Sequence, residues 1–314
     1  MNDQQQKRYQ KLRMNAPRLA GYIDCLYDEE DWALIDSADD DGILDANLFS
    51  EEVLQRGFHR GILDRDENSP SGWRLSSYRV HMSCMMEGDL SFAWFSLPEE
   101  VWKGINAYMM DPKVWLPSRV EETSEDNPST EWVLPLEQAM AKIESVPEGA
   151  WFSLHQCDCN AYERGCKGKE KICINWSTDP PAPNSKQARG LVGTCTREEA
   201  ISALKRADEM GLVHCVTERH VCNCCTCCCI NLHNYKEYKV RDHLLNLSYV
   251  AKVENEACLG CGACTARCPF EAISLTDGAA GVSPDLCWGC GVCRTVCPAN
   301  AIKMEEIRHA AVLE

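Results

Sequence analysis

The sequence lacks the motifs of several common enzyme classes. It contains no G-x-G-x-x-G after a predicted strand, no P-loop, no G-x-S-x-G and no C-x3-C-x2-C triplet, so no flavin, nucleotide, serine-hydrolase or radical-SAM chemistry is indicated. No run approaches the roughly 20 apolar residues that a membrane span requires. Residues 1–10 lack the apolar segment of a secretory signal. We therefore expect no membrane span and a cytoplasmic location, where a reducing environment disfavours disulfides.

Basic residues are also scarce. Lys and Arg number 32 against 48 Asp and Glu, which gives a formal net charge of −16. The excess lies in residues 1–150, which hold 29 acidic and 14 basic side chains, whereas residues 151–245 hold 11 and 13 and residues 246–314 hold 8 and 5. Because an acidic surface repels phosphate, we predict no nucleic-acid partner.

Cysteine, by contrast, is abundant. Of the 22 cysteines, 2 lie in residues 1–150, 12 in residues 151–245 and 8 in residues 246–314. Charge and cysteine content therefore change at the same two boundaries, which predicts three domains with those limits. The apolar content of 45% and charged content of 25% are typical of globular proteins, and we predict a multi-domain α+β fold. In a reducing compartment so many cysteines indicate metal binding.

The strongest signal is a repeated cysteine motif in the last region. The spacing C-x2-C-x2-C-x3-C-P occurs at residues 258–269 and again at residues 287–298. Each copy contains two glycines, which let the backbone approach a bound inorganic sulfide. Zinc sites usually join C-x2-C pairs across a long spacer, so two strictly spaced runs favour [4Fe–4S] clusters over zinc.

In the bacterial-type motif, the fourth cysteine of each run binds the other cluster. We therefore predict a first [4Fe–4S] cluster on Cys258, Cys261, Cys264 and Cys297. A second cluster is predicted on Cys287, Cys290, Cys293 and Cys268. Residues 250–305 resemble the two-cluster ferredoxin family, and this resemblance implies a short strand after each motif, at residues 272–275 and 301–304.

Two dense groups of cysteines occupy residues 151–245. The first has the spacing C-x-C-x6-C-x6-C, and the second, C-N-C-C-T-C-C-C, places six thiols within eight residues. A helix is predicted between them, because Thr196 and Glu199 form a capping box and Gly211 suits a C-cap. Six thiols without neighbouring apolar patterning indicate metal ligation. The predicted ligands are Cys157, Cys159, Cys166, Cys173, Cys222, Cys224, Cys225, Cys227, Cys228 and Cys229.

Which metal these ten thiols bind is open. They suffice for one or two further iron–sulfur clusters, and a structural zinc or a cluster of unusual shape are the alternatives. His155, His214 and His220 lie beside the cysteines, where they are candidates for ligands, for hydrogen-bond donors to sulfide or for packed residues. Four cysteines are predicted to bind no metal: Cys25, Cys84, Cys195 and Cys215.

The order of these segments widens the resemblance. Residues 137–144 (E-Q-A-M-A-K-I-E), 157–159 (C-D-C), 211–214 (G-L-V-H) and 222–229 (C-N-C-C-T-C-C-C) resemble a family of anaerobic-bacterial iron–sulfur proteins. In that family a winged-helix-like start precedes a cysteine-rich middle and a two-cluster ferredoxin end. Members usually have Arg after the first C-x-C, whereas this chain has Asn160. The resemblance implies redox traffic in anaerobic metabolism.

Residues 16–80 are the candidate for the winged-helix-like part. Residues 49–58 predict an amphipathic helix capped by Ser50, and residues 61–78 predict a hairpin around a polar Asn-Ser-Pro-Ser-Gly tip. A DNA-binding winged helix presents a basic recognition helix and wing. Here acidic residues surround the segment, at 28–31 and 39–41, which disfavours DNA binding.

These observations predict an iron–sulfur protein or subunit that relays single electrons between redox partners. The predicted partner is a flavoprotein or other anaerobic reductase with a basic docking patch. Two alternatives stay open: an oxidoreductase with a substrate-accessible cluster in the middle region, and an iron–sulfur redox-sensing regulator. An electron-transfer component of an oxidoreductase complex is favoured over a stand-alone enzyme.

Overall fold

The computed structural model describes residues 3–12, 22, 24–88, 97–109, 111–124, 126–157, 159 and 170–313. It mixes helices and strands, which confirms the α+β class. The chain divides into two compact units, residues 1–110 with 180–193 and residues 111–179 with 194–314. The division into three domains by composition stays a prediction. Among the described residues, no helix is both long and apolar enough to cross a bilayer.

The first unit consists of helices and one small hairpin. Its helices are α1 (Asp3–Lys11), α2 (Glu29–Ser37), α3 (Glu51–His59), α4 (Tyr78–Gly88) and α5 (Glu99–Met109). Its strands β1 (Leu63–Arg65) and β2 (Trp73–Leu75) pair antiparallel. Short 3-10 turns lie at Asp24–Leu26 and Ala46–Leu48. The core contains Leu34, Ile35, Phe58 and Ile62, each of which is buried.

Two local predictions for this unit are confirmed. Helix α3 begins after Ser50, whose hydroxyl accepts a hydrogen bond from the N–H of Val53 at 3.3 Å. The predicted hairpin forms as β1 and β2, in the register Leu63 opposite Leu75. Ile43 adds a single bridge to Arg74, so the chain before α3 extends the edge of the hairpin.

The acidic residues before α3 are not all at the surface, which corrects the expectation for residues 28–31. Asp31 is fully buried and lies 2.8 Å from the Arg60 guanidinium and 3.1 Å from that of Arg56. Arg56 also contacts Asp28. A buried carboxylate is tolerated only when it is closely paired and hydrogen-bonded. The guanidinium groups at the end of α3 are therefore paired with carboxylates of the same unit.

Arg189 attaches the segment 180–193 to the same unit. Its buried guanidinium donates a hydrogen bond to the carbonyl of Leu63 at 2.7 Å and contacts the carboxylate of Asp64. Leu191 and Val192 pack around the buried Cys84. Polar anchoring and apolar contact together explain why this distant segment belongs to the first unit.

The second unit is built on a seven-stranded sheet. Its strands are β3 (Trp132–Leu134), β4 (Trp151–Gln156), β5 (Lys171–Ser177), β6 (Thr194–Cys195), β7 (Val213–Val216), β8 (His220–Cys224) and β9 (Asn246–Leu247). They lie in the order β6-β4-β5-β8-β7-β3-β9, antiparallel except for the parallel pair β3–β9. Its helices are α6 (Pro112–Glu122), α7 (Leu136–Ser145), α8 (Arg197–Met210), α9 (Ile230–Glu237) and α10 (Arg241–Leu244).

Helix α8 confirms the prediction of a helix between the two cysteine groups. The Thr196 hydroxyl accepts from the N–H of Glu199 at 3.1 Å, and the Glu199 carboxylate accepts from the N–H of Thr196 at 2.8 Å. Gly211 ends the helix with φ 83°, a left-handed conformation that suits glycine. The helix leads from the edge strand β6 back to β7, so it returns the second cysteine group to the sheet.

The sheet has two chemically different faces, because successive side chains of a strand point to opposite sides. Phe152, Ile174 and Val221 occupy one face and pack in a core with α7 and α8. On the other face, Cys215 of β7 lies directly opposite Cys222 of β8. The cysteines of β5, β7 and β8 are therefore collected on the face away from α7 and α8.

The last part of the second unit contains two strand pairs and two short helices. Strand β10 (Tyr249–Val253) pairs with β13 (Ile302–Glu306), and β11 (Ile273–Thr276) pairs with β12 (Ala279–Val282). Helices α11 (Ala263–Arg267) and α12 (Val292–Thr295) lie within the two cysteine motifs, and a 3-10 turn follows at Ala311–Leu313. Strands β11 and β13 confirm the strands expected after each motif.

Candidate metal centres

The four cysteines predicted for the first cluster border one cavity. Cys258, Cys261, Cys264 and Cys297 line a common pocket whose other walls are mainly apolar. The first three cysteines come from one motif and the fourth from the next, as the crossed ligand pattern requires. We call these four thiols site A.

Backbone N–H groups point at the sulfur atoms of site A. The N–H of Ala280 lies 3.5 Å from the Cys258 sulfur, and that of Ala301 lies 3.3 Å from the Cys297 sulfur. Hydrogen bonds from Ala280 and then Gly260 lower the pKa of Cys258. Such donors stabilise a thiolate, the form in which cysteine binds a metal.

Glycine is required where each motif turns. Gly260 has φ 63°, and a Cβ there would lie 2.2 Å from the carbonyl oxygen of Gly278. Gly289, at the same place in the second motif, has φ 66°, and its Cβ would lie 2.2 Å from the carbonyl oxygen of Tyr249. Both turns therefore need the left-handed conformation and close backbone approach that glycine allows.

The four cysteines predicted for the second cluster also come together. Burial, with the nearby thiols of Cys287 and then Cys268, raises the pKa of Cys293 to about 12. Burial raises the pKa of Cys290 further, and Cys293, Cys287 and Cys268 add to this effect. The N–H of Ala272 points at the Cys268 sulfur at 3.4 Å. We call Cys268, Cys287, Cys290 and Cys293 site B.

Sites A and B both fit a [4Fe–4S] cluster. Each collects four thiols, offers backbone N–H donors to sulfur and has a glycine turn that no side chain could occupy. When bound, such a cluster supplies reversible one-electron exchange. The burial-raised thiol pKa values of site B mean that a bound cation is needed there to hold its cysteines as thiolates.

The two sites differ in exposure. Cys261 of site A is exposed, and the neighbouring Leu259 is 71% exposed. Cys290 of site B is 6% exposed, and the neighbouring Trp288 is 5% exposed. Trp288 stacks on Phe270, with ring centroids 4.1 Å apart and planes inclined by 5°. Site A therefore faces solvent, whereas site B faces the interior of the second unit.

Six buried or half-buried cysteines of the middle region have thiols that act on one another's pKa. The interacting pairs form a closed series: Cys157 with Cys159, Cys159 with Cys229, Cys229 with Cys224, Cys224 with Cys222, Cys222 with Cys173 and Cys173 with Cys157. The series draws on β5, β8, the residues after β4 and the cap of α9. We call these six residues the thiol ring.

Neighbouring thiols and burial act together in the thiol ring. The hydrogen bond with Cys157 and then that with Cys229, followed by burial, raise the pKa of Cys159 well above its ordinary value. The pKa of Cys173 is also raised well above its ordinary value, by Cys157, then by Cys222, and by burial. Thiols in this environment stay protonated unless a cation compensates their charge, and metal binding releases such protons. The donor set of the ring fits a thiophilic metal ion or an iron–sulfur cluster.

Cys215, which was predicted to bind no metal, lies beside the thiol ring. It is 4% exposed, and its thiol and that of Cys224 act on each other's pKa. The alternation along β7 is the signal that could have found it, because Cys215 shares a sheet face with its partner Cys222. Cys195, in contrast, packs at the edge of the apolar core on the helix-covered face.

The other predicted ligands of the middle region lie elsewhere. Cys225, Cys227 and Cys228 form a separate group, with all three sulfur atoms within 4.8 Å of one another. The nine predicted thiols that the structure describes therefore fall into two groups, six in the thiol ring and three here. Cys166, the tenth, lies outside the described residues.

The three candidate histidines have other partners. His214 lies opposite Asn223, to which its Nδ1 is hydrogen-bonded at 2.6 Å, and its Nε2 lies 3.6 Å from Asp208 of α8. This places His214 on the helix-covered face, away from the thiol ring. The His155 Nε2 is hydrogen-bonded to the Ser153 hydroxyl and the His220 Nδ1 to the Thr217 hydroxyl, both at 2.8 Å.

Comparison with known proteins supports the C-terminal assignment. Residues 251–304 match the family model described as a 4Fe-4S dicluster domain. This match indicates a ferredoxin-like iron–sulfur domain and implies iron–sulfur electron transfer in general. No curated protein and no solved structure matches the chain.

Proposed function

We propose that the chain relays single electrons between redox partners, with site A at its outer end and the thiol ring at its inner end. The dicluster domain supports the general chemistry. The relay, its direction and its partners are the proposal. Three observations support it: the exposure of site A, the burial of site B, and the packing of site B against the thiol ring.

The packing around site B carries the proposal. Cys290, Trp288 and Phe270 belong to the same apolar cluster as Cys224 and Cys229 of the thiol ring. Leu232 and Tyr235 of α9 complete this cluster on the cysteine face of the sheet. A dry, close-packed connection with an aromatic stack suits electron transfer between two buried centres, because it holds them in a fixed arrangement and excludes water.

The surroundings of site A suit a basic partner. Glu254, Glu256 and Asp277 are exposed residues close in sequence to its cysteines or to the turn at Gly278. Exposed Leu259 and Leu275 border the cavity. An apolar contact within an acidic rim favours a protein with a positive patch, which charge would steer during the encounter. We propose a flavoprotein or other reductase of anaerobic metabolism as this partner.

We propose that the thiol ring holds a further iron–sulfur cluster. Iron and acid-labile sulfide, measured anaerobically on the full chain, test this directly. Two cubanes account for about eight irons per chain, and one more cubane in the ring raises the count to about twelve. A count of about eight would leave the ring without iron and remove the inner end of the relay.

For the first unit we propose a winged-helix-like fold without a role in nucleic-acid binding. The order α2, Ile43 bridge, α3 and hairpin supports the fold. Asp28 pairs with Arg56, and Asp31 pairs with Arg60. Because these guanidinium groups are already occupied, they do not support a phosphate-binding face. A shift of random-sequence duplex DNA by the full protein at low salt would contradict this second part.

The relay itself is tested with cytochrome c, a basic haem protein, as the electron acceptor. Dithionite-reduced protein, freed of excess reductant, is mixed with oxidised cytochrome c in an anaerobic stopped-flow instrument. We expect the rate to fall about tenfold between low and physiological ionic strength, because charge steers the encounter. Glu254→Gln, Glu256→Gln and Asp277→Asn together should lower the rate at low salt about three- to tenfold.

The matched control removes three exposed acids of the first unit. Asp40→Asn, Glu52→Gln and Glu67→Gln change the net charge by the same amount at positions far along the chain from the cysteines of site A. If the control slows transfer as much as the site A variant, overall charge and not site A guides the partner. A rate that does not respond to salt would contradict electrostatic docking.

A further inference from the structure

Three thiols of the middle region belong neither to the thiol ring nor to sites A and B. The Cys225 sulfur lies 2.8 Å from that of Cys228 and 3.1 Å from that of Cys227. All three sulfur atoms lie within 4.8 Å of one another. We call Cys225, Cys227 and Cys228 the thiol triad.

The local fold brings the triad together. These residues form the turn between β8 and α9, and the N–H of Cys229 donates to the carbonyl of Cys225 at 3.3 Å. Cys229 caps α9, with its sulfur accepting from the N–H of Leu232 at 3.5 Å. Its side chain thereby turns toward the thiol ring, while those of the residues before it converge on one another. The segment C-T-C-C-C thus contributes three thiols to the triad and one, that of Cys229, to the thiol ring.

The spacing of the triad suits a single metal ion. A tetrahedral zinc ion with Zn–S distances of about 2.3 Å holds its sulfur ligands about 3.8 Å apart. All three sulfur atoms of the triad lie within 4.8 Å of one another, and two of the pairs are closer than this spacing, so an ion would be held with the thiols slightly farther apart. The ligands of a cubane bind separate iron atoms around a larger core, as the thiols around the cavity of site A would. Convergence of three thiols on one point therefore favours a mononuclear site.

The exposure of the triad sets its chemistry. Cys228 is 1% exposed, Cys225 is half-buried and Cys227 is exposed. One side of the group is anchored in the protein, and the other faces solvent. Three thiolates form a soft donor set, which selects thiophilic ions over Mg²⁺ or Ca²⁺.

We propose that Cys225, Cys227 and Cys228 form a mononuclear site for a thiophilic d¹⁰ metal ion, with Zn²⁺ as the representative ion. The site is separate from the thiol ring and from both ferredoxin-like centres. The ion ties the turn after β8 to the start of α9.

Metal analysis and X-ray absorption of the full-length protein test the site. The protein is purified anaerobically, titrated with Zn²⁺ alone and freed of loosely bound metal. We expect about one zinc per chain, with at least about three sulfur ligands at about 2.3 Å at the zinc K-edge. This edge is selective for zinc, so iron elsewhere in the protein does not obscure it. A copper(I) ion bound in its place with the same three ligands would also support the site.

The decisive variant is Cys227→Ser, because an exposed side chain is changed with little effect on folding. We expect its zinc content to fall at least about fivefold while its iron content stays unchanged. Cys225→Ser should behave alike. Cys195→Ser, which lies outside the triad and the ring, should keep both metals.

Three outcomes would overturn the proposal. The first is wild-type protein that binds no thiophilic ion tightly. The second is zinc retained by both Cys227→Ser and Cys225→Ser. The third is a loss of about four irons in Cys227→Ser, which would make the triad part of an iron–sulfur cluster. Because the readouts are metal content and ligand distance, they are independent of electron transfer to a partner.

Discussion

The two cysteine motifs of the second unit have the same spacing and the same glycine turns, but their surroundings are opposite. In the first motif, Leu259 occupies the place after the first cysteine and is 71% exposed. In the second motif, Trp288 occupies this place and is 5% exposed. One motif thus presents its turn to solvent, and the other presents its turn to the cysteine face of the sheet.

This difference shows that two properties of a motif have separate causes. Local structure sets the geometry of its ligands, and tertiary packing sets whether its cluster site faces solvent or the interior. The N–H donors to the fourth cysteine of each motif, from Ala272 and Ala301, and the left-handed glycines are local and recur in both motifs. The environment is tertiary, because Phe270 and Trp288 pack with Val133, Val213 and Tyr235, which are remote in sequence. A repeated motif therefore produces an outward and an inward centre without any change in its ligands.

The largest effects are expected when one cysteine of each site is replaced. Cys261→Ser and Cys290→Ser should each lower the iron content by about four per chain, since a cubane that lacks a ligand is lost. Cys290→Ser should also lower stability by about 1–3 kcal/mol more than Cys261→Ser, because it places a hydroxyl in a buried apolar setting. Iron analysis and thermal unfolding, both anaerobic, measure the two effects. Equal losses of stability would contradict the inward position of site B.

The next largest effect is expected at the two residues that follow the first cysteines. Trp288→Ala should cost about 3–5 kcal/mol, because it removes a large buried ring that stacks on Phe270. Leu259→Ala, the equivalent change in the first motif, should stay within about 0.5 kcal/mol. Chemical denaturation of the cluster-loaded protein gives both values. Similar costs at the two positions would remove the contrast between the motifs.

The glycine turns provide the opposite test, because replacing either glycine should lower the stability of the protein by a similar amount. Gly260→Ala and Gly289→Ala should each cost about 2–4 kcal/mol, because the new Cβ meets a carbonyl oxygen at a positive φ. Gly281→Ala is the control, because a Cβ there meets nothing within 4 Å. Chemical denaturation measures the free energy of unfolding of each variant, and iron analysis measures its cluster content. Tolerance of alanine at either turn would show that the backbone approach is not obligatory.

The smallest expected effect concerns the residue before the third cysteine. Val292 is 1% exposed, and Val292→Ala should cost about 1–2 kcal/mol through lost apolar burial. Ala263 holds the same place in the first motif and is half-buried, so Ala263→Val should change stability by less than about 1 kcal/mol. Paired unfolding curves test this. A larger cost for Ala263→Val would indicate that site A is packed as tightly as site B.

Much of the architecture around the metal centres could be predicted. The strict spacing of residues 258–297 led to two four-thiol sets, and the structure brings each set together. The capping box of Thr196 and Glu199 led to α8, and the hairpin signature led to β1 and β2. These predictions rest on interactions between residues close in the chain, so their signals are local.

The arrangement of the middle cysteines could not be predicted in the same way. Ten thiols were treated as one pool, but the structure separates the thiol ring from the thiol triad and adds Cys215 beside the ring. The ring depends on which face of β5 and β8 each cysteine occupies, and this depends on strand register. Register follows from the apolar pattern of the whole sheet, which no single motif reveals.

The sequence by itself determined the kind of chemistry, because the spacing of thiols and glycines within each motif defines a four-thiolate cluster site. It also determined where the main helix and hairpin lie, through caps and turn residues. Only the tertiary structure decided that site A faces solvent, that site B packs toward the thiol ring, and that the C-T-C-C-C turn divides its thiols between two places. The physical reason is that ligand spacing is a property of a short segment, whereas burial and direction depend on what distant segments pack against it.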